Sequence, residues 1–110
     1  MGFDIVEIAK RIFQALKGQL SEQFIVVEDY AEYESKKIAD TIGMIQKLVL
    51  KAKISEEEAK LLLQMQINST KTILLSVEGL DLITVQRAIN TAMSSIRDDV
   101  NYSIGFNLLG

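Results

Sequence analysis

Apolar residues recur at helical spacing along nearly the whole chain, in four blocks separated by glycine or by a polar cap. The first block, Asp4 to Lys17, places Ile5, Ile8, Ala9, Ile12, Phe13 and Leu16 on one side. Asp4 is a helix cap with Glu7 placed to reach back to it, Phe3 can staple onto Ile8, and Gly18 predicts the stop. Ser21 predicts the next start, of a helix running to about Lys53. Its opening Phe24-Ile25-Val26-Val27 is rich in strand formers, so a short strand is the rival reading. Helix is preferred because a seven-residue pattern of Phe24, Ala31, Ile38, Ile45 and Ala52, flanked by Val27, Ile42 and Val49, runs on unbroken. The other side, with Asp29, Glu32, Lys36, Asp40, Lys47 and Lys51, reads as a solvated face.

Ser55-Glu56-Glu57-Glu58 is a capping box with acids in the first turn of a third helix. There Glu57, Lys60, Gln64, Asn68, Lys71 and Glu78 share one narrow wedge, with Leu75 among them. A polar arc that narrow predicts a helix contacted on most sides. Gly79 predicts its end, and Leu80-Asp81 opens a fourth helix with Leu82, Val85, Ile89, Met93, Ile96, Val100 and Ile104 inward. The fold class is all-α: a single domain, residues 1–110, forming an antiparallel bundle of one short and three long helices.

The lengths differ enough to matter. The first helix spans roughly 21 Å and the others about 35–48 Å at ~1.5 Å per residue. The half containing Ile38–Ala52 is then three helices thick, which predicts a homo-oligomer. The C-terminal Phe106, Leu108 and Leu109 fall off the inward face of the fourth helix. They either fold back on the bundle or, with Leu75, form an interface to another subunit. Two polar groups interrupt apolar faces: Glu34, level with Gln86, and Gln66, level with Thr41. Glu34, Thr41, Gln66 and Gln86 read as a buried polar layer that fixes register, with a ligand pocket as the alternative.

Composition narrows the chemistry. There is no Cys and no His, which removes the strongest nucleophile and the usual neutral-pH base, and no triad is evident. An enzyme is therefore not expected, nor a cofactor or metal centre; a ferritin-type di-iron bundle needs Glu-x-x-His pairs. A net charge of −3 and a basic cluster around Lys47, Lys51, Lys53 and Lys60 diluted by Glu56–Glu58 argue against nucleic acid. No run of 18 apolar residues exists, so no membrane span is expected, and a cytoplasmic address needs the fewest assumptions. Charge is uneven: residues 1–60 hold 20 charged side chains and residues 61–110 hold seven, which assigns more burial to the second half. Gly43 and the Ala88, Ala92, Ser95 seam read as close helix contacts. The function expected is a small non-enzymatic interaction or assembly module, acting through the three-helix end and the tail. A carrier of an apolar small molecule held between the long helices is the alternative.

Overall fold

The computed structural model describes residues 4–77 and 79–110. Phe3, the expected staple, and Glu78, in the polar wedge, lie outside the described residues. The chain forms α1 (Ile5–Leu20), a 3-10 turn (Ser21–Gln23), α2 (Phe24–Leu50), α3 (Glu56–Leu75) and α4 (Leu82–Ile104), with no strand among the described residues. The strand reading of Phe24–Val27 is thus replaced by helix. None of the described helices is long and apolar enough to cross a membrane.

Local chemistry accounts for most boundaries. Asp4 accepts the Val6 N–H at 2.9 Å and opens α1. Ser55 accepts the Glu58 N–H at 3.1 Å while Glu58 accepts the Ser55 N–H at 3.0 Å, completing the capping box of α3. That backbone bond holds the Glu58 carboxyl below its ordinary range, and the Thr84 N–H does the same for Asp81, the cap of α4. Gly79 and Gly105 take φ of +94° and +98°, the left-handed geometry that ends helices.

Three boundaries differ from expectation. α1 runs through Gly18 to Leu20, because Leu20 extends the Ile8, Ile12, Leu16 stripe by one more turn and is fully buried. Burying a leucine is worth roughly 1.5–3 kcal/mol, more than the ~1 kcal/mol a helical glycine costs. Ser21 does not cap α2; it adopts φ +48° in the turn between helices. α2 stops at Leu50, and Ala52, assigned above to the inward seam, is exposed with φ +54°. The Lys53 N–H bonds Leu48 O at 2.8 Å and the Ala52 N–H bonds Val49 O at 3.0 Å, the two bonds of a Schellman cap with alanine where glycine is usual. Ala52→Gly is therefore expected to stabilise the fold by about 1 kcal/mol, or about 5 °C in Tm, measured by thermal circular dichroism. Unchanged or lowered stability would contradict the strain assigned to Ala52.

Helix lengths are graded at 16, 20, 23 and 27 residues, and α2 sets the 42 Å long axis. α1 packs along both α2 and α4, while α3 lies against α2 with a looser seam to α4. α1 also reaches further than its length suggested. Ile5 meets Gly43, where an added Cβ would lie 2.3 Å from the Ile5 Cδ1 atom. Asp4, Glu7 and Ile8 border a cleft shared with Asp99, Tyr102 and Ser103 at the end of α4. Gly43, Ala88 and Ala92 are all buried, as close helix contacts require. The Arg11 guanidinium clasps α4 through the Asp99 carboxylate and the Ser95 carbonyl.

Candidate functional site

Between α2 and α3 runs a chain of side-chain hydrogen bonds. The Thr41 hydroxyl donates to Gln66 Oε1 at 3.3 Å, the Gln66 amide donates to Thr70 Oγ1 at 3.3 Å, and the Thr70 hydroxyl donates to Glu34 Oε1 at 2.8 Å. The other Glu34 oxygen meets Lys37 Nζ at 3.2 Å, and that ammonium lies 4.9 Å from the Tyr33 ring centroid. Glu34 is 2 % exposed and Thr70 fully buried, so the chain starts at the surface and ends on a sequestered carboxylate. Every buried side-chain polar atom among the described residues has a partner, which meets the requirement for polar groups in a core.

Three of the four expected polar-layer residues, Glu34, Thr41 and Gln66, are thus joined. The link that closes them, Thr70, was not anticipated, although it stands four residues after Gln66 on the same face of α3. Gln86 does not join them. It is exposed at the margin of the α4 core stripe and lines a groove toward α3 with Gln64, Ile67 and Lys71. The loose α3–α4 seam leaves it in solvent.

The expected interface residues divide similarly. Leu108 and Leu109 are buried on their own chain, and Phe106 and Leu75 are half-buried against its core. Gly105 reverses the chain after α4. The Asn101 side chain then pairs with Leu109 in both directions, donating to its carbonyl and accepting from its N–H at 2.8 Å each. The tail folds back beside Lys60, Leu63 and Gln64, at the end of the bundle that α1 does not reach. Asn101 is the residue that a purely apolar reading of the tail misses.

Two grooves and one open face remain. A groove of about 580 Å³ between α3 and α4 has Leu63, Ile67 and Met93 on its walls and Lys60 and Arg97 on its rim. Another of about 610 Å³ lies between α1 and α2, lined by Ile5, Ala9, Phe13 and Glu28 among others. The open face belongs to α2 and α3 together. Thr41 opposite Gln66 and Glu34 opposite Thr70 fix their register. At 100° per residue, Val26, Tyr30, Tyr33 and Met44 then lie on the α3-side flank and outer surface of α2. Leu61 and Met65 lie on the neighbouring flank of α3, and these six side chains are 45–65 % exposed.

Among the described residues no group of three carboxylates is placed to hold a metal ion. No protein-family model, curated protein or solved structure matches the chain.

Proposed function

We propose that this chain is a small interaction and assembly module: an antiparallel helical bundle that self-associates through a helical surface. One observation carries the reading. The sequence of α3 is apolar on most of its circumference, yet its own chain buries only Ala59, Leu63, Thr70 and Leu74 within it, leaving Leu61 and Met65 at 61 % and 60 % exposure. A continuous apolar face of this kind marks an interaction surface, because isolated monomers rarely carry one. The three-helix end and the tail, the surface suggested by the sequence, are filled in cis. The uncovered area is the neighbouring α2–α3 face.

Light scattering on the full chain tests this. Mass is expected to rise with concentration through the micromolar range toward at least a dimer, and Met65→Glu is expected to hold it near the monomer with an unchanged helical spectrum. A constant monomeric mass would remove the assembly reading.

A second reading rests on the α3–α4 groove, whose apolar walls and cationic rim suit an amphipathic small molecule. A carrier would copurify with such material, detectable by native mass spectrometry as an added mass that Met93→Lys abolishes.

A further inference from the structure

The assembly reading gains a specific geometry from the outward side of α2, on which the following inference rests. Opposite its core stripe, α2 exposes charged and apolar side chains in a self-complementary order. Asp29 and Lys47 stand equally far either side of Ile38, as do Lys36 and Asp40. Tyr33 and Met44, 65 % and 45 % exposed, mirror each other about the peptide joining Ile38 to Ala39. A helix that meets a reversed copy of itself about that point sets acid against base at every one of these charged positions, and sulfur against an aromatic ring. Parallel pairing would instead bring Asp29 to Asp29 and Lys47 to Lys47. The charge order therefore selects a direction.

The same level on α3 lies near residues 67 and 68, given the Thr41–Gln66 and Glu34–Thr70 contacts. About that level Leu61 mirrors Leu75, so one axis serves both helices. Two helices about 10 Å apart and roughly 30–38 Å long present roughly 700 Å², close to the ~800 Å² per partner of a stable interface.

We infer that two copies of this chain pack α2–α3 face to α2–α3 face, with the α2 helices running in opposite directions about a two-fold axis level with Ile38 and Ala39. Asp29 of each copy then faces Lys47 of the other. Lys36, which also reaches Glu32 within its own chain at 3.3 Å, faces Asp40. Leu61 approaches Leu75 of the second copy, and α3 gains the contact that its sequence calls for.

Sedimentation equilibrium on the full chain, with Asp29→Lys, Lys47→Asp and the two combined, tests the arrangement. Each single reversal places like charges together at both symmetric positions and is expected to weaken the dimer about tenfold or more. The double exchange is expected to restore it. A monomeric mass for the parent chain at every concentration overturns this inference and the assembly reading together. A concentration-dependent mass that the reversals leave alone, or that the double exchange fails to restore, overturns this arrangement only. The chain has no cysteine, which allows a second measurement. Positions 33 and 44 of one chain are about 16 Å apart along the helix, too far for an internal disulfide. Tyr33→Cys combined with Met44→Cys should therefore give disulfide-linked dimers far more readily than either change alone. Equal cross-linking by a single variant overturns the reversed orientation.

Discussion

Ile12→Ala is expected to lower the unfolding free energy by about 3–4 kcal/mol, the largest loss from any single truncation considered for this chain. Ile12 is fully buried at the middle of α1, with Ile8, Leu16 and Leu20 continuing its stripe above and below. Leu/Ile→Ala changes span about 2–5 kcal/mol, and the position within that range depends on how far the surroundings can collapse into the void. Here they can collapse little. One end of α1 is held against Gly43 by Ile5, its middle is clasped to α4 by Arg11, and Phe13 sits edge-on to Phe24 at 5.3 Å between centroids. The matched control is Leu62→Ala on the half-buried flank of α3, expected to cost about 1 kcal/mol or less. Urea midpoints at constant slope measure both. A cost for Ile12→Ala no greater than the control would mean that α1 is dispensable, contrary to its position between α2 and α4.

That position reverses an inference drawn from helix length. Counting residues made the first helix the deficient member, because the estimate stopped at Gly18 and treated the helices as level rods. Glycine reports a tolerance for turning; whether the chain turns there depends on what the next residues can bury, and Leu20 favours continuation. Asp4, Ser55 and Asp81 were legible because a cap is a local bargain between one side chain and an N–H two or three residues away. The Ala52 cap was not, since an alanine at left-handed φ violates propensity and is held there by the bonds to Leu48 and Val49. The tail illustrates the same divide. Its apolar residues are visible in the sequence, but the choice between docking at home and docking elsewhere rests on the Asn101–Leu109 pairing, a contact made only after Gly105 has turned the chain.

The polar chain was legible as a need for partners and illegible in its connectivity. Glu34 and Gln66 stood out as polar interruptions of apolar stripes, and helical level brought Thr41 to Gln66 correctly. Level alone could not choose between α3 and α4 as the neighbour of Glu34. α2 and α3 are tightly paired, so Glu34 turned to Thr70, and Gln86 across the looser seam stayed in water. Glu34 also shows why such a chain persists. A sequestered carboxylate is tolerated only while its donors remain, which makes it a poor source of stability and a strong constraint on register.

Removing the donor should expose that constraint. Thr70→Val keeps the shape of a fully buried side chain but deletes the hydroxyl that donates to Glu34 at 2.8 Å and accepts from Gln66 at 3.3 Å. Hydrogen bonds to charged groups contribute about 1.5–3 kcal/mol, and the half-exposed Lys37 is too solvated to compensate, so a loss of about 2 kcal/mol is expected. Glu34→Leu added to Thr70→Val should recover most of it, because an apolar pair of similar volume carries no desolvation penalty. The double variant is then as stable as the parent or more so, and the coupling between the two sites is about 1–2 kcal/mol in a double-mutant cycle. Additive losses would show that the two side chains act independently, and that the register of α2 on α3 is held by the surrounding Val27, Ile38, Leu63 and Leu74 alone.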